Sequence, residues 1–230
     1  MSRLIRRRLF RPIAAVTLAA WVMMTASCGV SLDARPRTLE QSATSQPRRE
    51  APSSGVTTTF LYFVENGRIV ASSRDVPDRS PATVLSALFD DLTDEDHATD
   101  LISQIPSGTS LRSAVLSDGT LTVDLSKEFD NLVGSARGQA AAQIVFSSTE
   151  LTGIDEVTFL VDGKSSKVFS PVSGDADRVG ACDYLPLLAS NDDMRADKLP
   201  AAAARRVTAL RSSLASRCPA SAARNGTAAN

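Results

Sequence analysis

The 230-residue chain has little of what enzymes and metal sites are usually built from: one histidine, three cysteines, one tryptophan, and only 5% aromatic residues. A zinc centre needs three or four spaced nitrogen or sulfur ligands, and His97 stands alone in the run Asp94-Glu95-Asp96-His97-Ala98-Thr99-Asp100. That run also lacks the central glycine and terminal glutamate of a calcium-binding loop, and reads as a solvated acidic loop. There is no Gly-x-Ser-x-Gly elbow, phosphate loop or dinucleotide fingerprint. The inventory therefore assigns no catalytic residue, no metal ligand and no cofactor. Long hydrophobic runs are missing too: the uncharged stretch from Pro12 to Ala26 would reach about 22 Å as a helix, short of a hydrocarbon core of about 30 Å. What remains is 43% hydrophobic and 22% charged, the balance of a globular chain.

The beginning of the chain reads as an address. Arg6, Arg7, Arg8 and Arg11 precede the uncharged stretch, which runs into Thr25-Ala26-Ser27-Cys28. This is the layout of a secretory signal peptide over residues 1–27. Small residues directly before a cysteine resemble a bacterial lipobox, in which the Cys28 thiol receives diacylglycerol and anchors the mature chain to the outer face of the cytoplasmic membrane. Thr25 stands where that motif usually has leucine, and ordinary cleavage to a secreted protein is the alternative. Arg7-Arg8-Leu9-Phe10 also fits a twin-arginine signal, so both export routes stay open. The first 27 residues hold five arginines and no acid, and their removal takes the net charge from −1 to −6. Cys182 and Cys218 are then an even pair in an oxidising compartment, either joined as a disulfide or present as two thiols.

Residues 28–55 are rich in Ser, Thr, Pro, Gln and Arg and poor in large apolar residues. They read as a disordered tether spanning about 29 Å. Residues 56–184 read as one α+β domain. Thr57 to Glu65 turns at Asn66-Gly67 into Ile69 to Ser72, Leu111 to Leu116 turns at Asp118-Gly119 into Leu121 to Leu125, and Val157 to Val161 turns at Asp162-Gly163 towards Lys167 to Ser170. Such dipeptides favour tight hairpins because both central residues need positive φ. Between them, Ser80-Pro81 opens a helix carrying Val84, Leu85, Leu88 and Phe89, and Ser135 to Leu151 carries a second apolar face. The order ββαββαββ predicts two helices packed on one face of an antiparallel or mixed sheet. Residues 185–230 form a basic tail, with a helix expected from Leu199-Pro200 to Ser216. Residues 56–194 hold 22 acids against 9 bases, whereas 195–230 hold 7 bases and 1 acid. The tail either folds back on the acidic body or binds an acidic envelope polymer.

Carboxylates are the remaining candidates for chemistry. Asp90 with Asp91, and Asp192 with Asp193, are adjacent pairs whose side chains diverge by about 100° on a helix, so neither aims at one glycosidic bond. Asp124 and Glu128 are the carboxylates a wall-hydrolase reading would use, but Asp124 and Ser126 sit at a strand end, where they serve as hydrogen-bond partners for a turn. The acidic body disfavours nucleic acid. Trp21 leaves with the signal peptide, and Tyr62, Tyr184 and seven Phe fall mostly at core positions, which leaves glycan stacking weakly served.

One family likeness runs through the middle of the chain. It is carried in order by Leu61-Tyr62-Phe63-Val64 with Asn66-Gly67, Ser73-Arg74-Asp75-Val76, Ser80-Pro81 ahead of Val84-Leu85-Ser86-Ala87-Leu88, and Ile105-Pro106-Ser107-Gly108-Thr109. Leu121-Thr122-Val123-Asp124-Leu125-Ser126 with Phe129, Gln143-Ile144-Val145 with Thr149, and Val157 to Gly163 continue it. From about Thr58 to Tyr184 the chain resembles the GerMN domain of spore-germination and sporulation proteins, found in extracytoplasmic lipoproteins of Gram-positive bacteria, here with an actinobacterial host expected. It departs after the first helix, where Asp91-Leu92-Thr93 stands in place of Gly-Pro-Thr. The resemblance implies a non-catalytic module of the cell envelope acting by contact, with the membrane reached through Cys28 and an envelope protein as partner. Peptidoglycan is the alternative ligand.

Overall fold

Three two-residue turns organise the strands. The computed structural model describes residues 55–194 and 198–219; Cys28, the signal segment and nearly all of the tether lie outside them. β1 (Thr57–Glu65) and β2 (Arg68–Val76) flank Asn66-Gly67, β3 (Leu111–Ser117) and β4 (Thr120–Leu125) flank Asp118-Gly119, and β5 (Glu156–Val161) and β6 (Lys164–Ser166) flank Asp162-Gly163. All six turn residues have φ between +48° and +78°, the type I′ geometry that matches strand twist. Helix α1 (Pro81–Phe89) starts where the Ser80 side chain accepts from the Thr83 N–H, with proline in the first turn. A short helix α2 (Asp94–Ala98), the long α3 (Gly134–Ser148) and α4 (Ala201–Arg217) complete the helices. The class is α+β, as the hairpin and helix signals predict.

The strands are divided among three sheets. β3, β4 and β5 lie side by side, β3 antiparallel to β4 and β4 parallel to β5, with α3 forming the crossover between the parallel pair. The far margin of β5 is shared by two three-residue strands, β6 and β9 (Arg178–Gly180). β7 (Val168–Ser170) and β8 (Gly174–Ala176) make a small separate hairpin.

The first hairpin also stands apart, and burial explains why. Leu61 to Val64 and Ile69 to Ala71 are at most 1% exposed, so both faces are covered and the outer edges of the strands lie inside protein. A buried peptide group left without a partner costs as much as a lost hydrogen bond, and each edge here is met by something other than another strand. On the β1 side, the Tyr62 N–H donates to Ser147 Oγ at 3.0 Å, and Gln143 Nε2 donates to the Tyr62 carbonyl at 3.1 Å. Gln143 Oε1 in turn accepts from the Gln104 N–H at 2.7 Å. Val64 and Ile102 exchange two backbone bonds of 2.9 Å, and on the β2 side the Ala189 N–H donates to the Ile69 carbonyl at 2.9 Å.

α3 therefore packs against the first hairpin, α1 and β7 together, and every residue from Ala140 to Ser148 is buried. Its small residues permit close approach: a Cβ on Gly138 would sit 3.2 Å from the Phe169 carbonyl oxygen.

The tail is part of this body. Ala203, Val207, Leu210 and Leu214 of α4 belong to the same hydrophobic cluster as the strands, so packing continues past residue 184. Glu150 Oε1, at the end of α3, accepts from both the Tyr62 hydroxyl and Arg206 Nε at 2.7 Å. Burial, then the charge of Glu150, push the Tyr62 phenol far above its ordinary pKa. Arg211 donates to the carbonyls of Leu185 and Leu188. Cys182 and Cys218, 36 residues apart, are joined by a disulfide.

Two substitutions test this account. Gln143→Leu conserves volume but strips partners from two buried backbone groups, so it should cost at least about 2 kcal/mol in urea unfolding, against less than about 1.5 kcal/mol for a volume-conserving swap at the apolar Ile144. Cys218→Ser should cost about 3 to 4 kcal/mol from restored loop entropy, and thermal unfolding of the oxidised and reduced chain should show the same gap.

Candidate interaction surface

The helix exit that departs from the family pattern holds the most polar cluster of the body. Thr93 caps α2: its side chain accepts from the Asp96 N–H, and the Asp96 carboxylate accepts back from the Thr93 N–H and hydroxyl, each at 2.8 Å. This reciprocal cap, with aspartate in the place usually held by glutamate, turns the expected solvated loop into a helix. Asp96 itself is only 1% exposed and forms an ion pair with Arg74, while Ser72 Oγ donates to it at 2.7 Å. The Arg74 guanidinium lies 5.5 Å from the Phe63 ring centre, a cation–π distance. Burial alone pushes the Asp96 carboxyl up, but Arg74, Ser72 and Thr93 together outweigh it and hold the pKa below the ordinary value.

Beside this cluster runs a groove of about 620 Å³ between the end of α1, α2 and the segment from Leu101 to Gly108. Leu88, Leu101 and Ile105 form its apolar wall, and Asp90, Asp91 and His97 stand along it. The structure thus brings together residues that the sequence placed in separate, unconnected roles. Among the described residues no group of three His, Cys, Asp or Glu is arranged to hold a metal ion.

The other carboxylates are in structural bonds. Asp124 Oδ1 accepts from the Gly163 N–H at 3.0 Å, so it braces the turn of the neighbouring hairpin, while Ser126 Oγ accepts from the Ser110 N–H at 2.9 Å. Asp193 caps Ser190 and lies 3.7 Å from Arg68. Tyr62 and Tyr184 are fully buried, and Phe169 is the one phenylalanine among the large exposed hydrophobics.

What the sequence reading missed is the surface formed by β3. Among the described residues this strand ends the sheet and pairs only with β4, and five of its seven residues are exposed, with Val115 at 57% and Leu116 at 41%. Its one bulge lies between Leu111 and Ser113. From Ser113 to Ser117 it carries no charge and no proline. The signal was present in the composition of Leu111 to Ser117, but only the strand order reveals that it is a margin.

Comparison with known proteins finds one family model and several similar solved structures. Residues 60–167 match the family model described as Germane, sporulation and spore germination. Among solved structures it is similar to the tandem GerMN domains of the sporulation protein GerM from Bacillus subtilis, with 19% identity over 56% of this chain and 48% of that one, and a TM-score of 0.46. It thus spans about half the length of that tandem structure. The first GerMN domain of the same protein gives 18% identity over 54% and 97% of the two chains, with a TM-score of 0.41. A candidate lipoprotein from Clostridium perfringens gives 20% over 55% and 88%, with a TM-score of 0.38. No curated protein matches the chain.

The Asp96 cluster sets a pH dependence. A carboxyl whose pKa is lowered on folding adds stability above its unfolded value of about 3.9, and that stability is lost as pH falls through the folded value. Asp96→Asn should therefore be clearly less stable than wild type at pH 7, and the gap should close towards pH 2.5 in urea unfolding series. A gap of constant size would show that the ion pair does not set the acid limb.

Proposed function

We propose that the protein is a binding and assembly module of the bacterial envelope, performing no bond chemistry and held on the outer face of the cytoplasmic membrane by lipid on Cys28. The observation that carries the reading is the open margin at β3: an exposed strand, uncharged from Ser113 to Ser117 and with backbone groups available, is a template for pairing with another chain. Two further facts support it. Of the carboxylates that a hydrolytic mechanism would recruit, Asp193 caps Ser190, and Asp124 is bonded to the Gly163 N–H and faces Arg112 at 3.8 Å. Among the described residues no helix is long and apolar enough to cross a membrane.

A glycan-binding role, the second reading, draws its motive from the envelope location and the basic tail. Of the tail's five described cations, Lys198 contacts Asp100, Arg206 binds Glu150 and Arg211 donates to the carbonyls of Leu185 and Leu188, while Arg205 and Arg217 pair with no acid among the described residues. Charges paired within the body are not free to hold an acidic polymer.

Fractionation with crosslinking in intact cells tests the proposal. The wild-type chain should sediment with membranes and crosslink to envelope proteins, identified by mass spectrometry, while Cys28→Ser should move it to the medium. A wild-type chain found soluble in the cytoplasm, or one giving a clear zone in a peptidoglycan zymogram that Asp124→Asn abolishes, would overturn it.

A further inference from the structure

The margin at β3 has a property that sequence order alone does not display. Ser117 and Thr120 flank the Asp118-Gly119 turn, and Val115 with Thr122 and Ser113 with Asp124 continue the ladder. In a two-residue hairpin the flanking pair is hydrogen-bonded and the pairs alternate from there. Ser113, Val115 and Ser117 therefore spend their peptide groups on β4, while Ala114 and Leu116 direct their N–H and carbonyl groups away from it. No backbone bond from these two residues to any other element occurs among the described residues.

The two ends of the sheet are treated differently. The far margin of β5 is closed by β6 and β9, each three residues long and each led by a cation, Lys164 or Arg178. Short strands and charged residues are how proteins keep a sheet edge from pairing. β3 has neither protection between Ser113 and Ser117.

From Arg112 the chain reads Arg-Ser-Ala-Val-Leu-Ser-Asp to Asp118. Set against a second copy of itself, antiparallel and centred on Val115, this segment is complementary at every position. Val115 faces Val115, small Ala114 faces large Leu116, Ser113 faces Ser117, and Arg112 faces Asp118, with the last three contacts made twice by the two-fold symmetry. The same register makes Ala114 and Leu116 the hydrogen-bonded pairs, which is what their outward peptide groups require. Opposite charges directly across a strand pair are favourable and like charges are not, so only the antiparallel arrangement satisfies the ends.

We infer that the protein pairs with a second copy of itself through β3, antiparallel about Val115, to form one sheet running through both molecules. The inference rests on the binding-module reading and names its partner. An isologous two-fold contact of this kind closes on itself and gives a dimer. The bodies are both acidic, and the local attraction that offsets their repulsion comes from Arg112, which within one molecule donates to Asp162 at 2.8 Å and lies 3.8 Å from Asp124, and which exchanges this exposed pairing for Asp118 of the second copy. That repulsion is screened beyond about 8 Å at physiological salt.

The test uses the full chain carrying Cys28→Ser, so that an added thiol has no free competitor. Val115→Cys places two thiols at the symmetry centre, across a non-hydrogen-bonded pair whose Cα atoms lie about 4.5 Å apart. Mild oxidation should link it into a dimer at least ten-fold faster than Val133→Cys, a residue that is 78% exposed elsewhere on the surface. On the unlinked chain, Arg112→Glu sets like charges opposite each other at both ends and should raise the dimer dissociation constant at least ten-fold in analytical ultracentrifugation, whereas Arg112→Lys should leave it within about two-fold. Circular dichroism confirms that each variant is folded. Equal linking rates at the two cysteines, or an Arg112→Glu chain that dimerises like the parent, overturns the pairing. Recovery of other envelope proteins by crosslinking with no self-linked product overturns it as well, while leaving the binding-module reading intact.

Discussion

A strand edge buried inside a protein must find hydrogen-bond partners for every peptide group it turns outward, and the position of α3 follows from how β1 meets that demand. The peptide of Tyr62 is closed by two side chains of one helix, Ser147 and Gln143, a turn apart, and Gln143 also holds the Gln104 N–H. A third strand in that place would have continued the sheet and excluded the helix. With side chains instead, α3 lies against the edge of the hairpin while its other sides face α1 and β7. The segment from Leu101 to Gly108 is drawn in by the same contact, since Ile102 pairs with Val64 and Gln104 binds Gln143, and that segment forms one wall of the groove.

Charge acts on the fold in a comparable way. The excess acid of the body and the excess base of the tail meet inside one molecule, at Glu150 with Arg206 and at Asp100 with Lys198. Exposed pairs of this kind contribute little each, but Glu150 is only 6% exposed and is also bonded to Tyr62. The contact therefore joins β1, the end of α3 and α4 at one carboxylate, with the Cys182–Cys218 bond holding the far end of α4.

Much of this was legible in the residues. The three Asn-Gly or Asp-Gly turns, the Ser80-Pro81 start of α1 and the apolar face of α3 are local signals, and local physics decides them. The features that were not legible depend on distant partners. α2 escaped because its cap uses Asp96, and nothing near Asp96 in sequence announces that Arg74 and Ser72, more than 20 residues away, will neutralise its burial. The division into three sheets escaped because hairpin signals specify which strands pair within a turn, not which hairpins join. Gln143 reads as an ordinary helix residue until the carbonyl it binds is known, and the groove is built from stretches brought together by distant contacts such as the Ile102–Val64 bridge and the Gln104–Gln143 bond.

The same rule that hides β1 exposes β3. Inside the body, the outward peptide groups of Tyr62 and Val64 and the carbonyl of Ile69 are matched, by side chains, an isolated bridge and the Leu188–Ala189 segment. At the surface, water can serve those groups, and the chain need not provide partners; it usually provides deterrents. β6 and β9 carry theirs in their brevity and their cations. β3 is the longest strand of its sheet, lies at its margin, and carries no charge from Ser113 to Ser117, with Arg112 before that stretch and Asp118 of the turn after it. An edge without deterrents costs solubility unless something covers it, so its persistence in an otherwise well-satisfied structure is best explained by an occupant whose own charges lie in the reverse order.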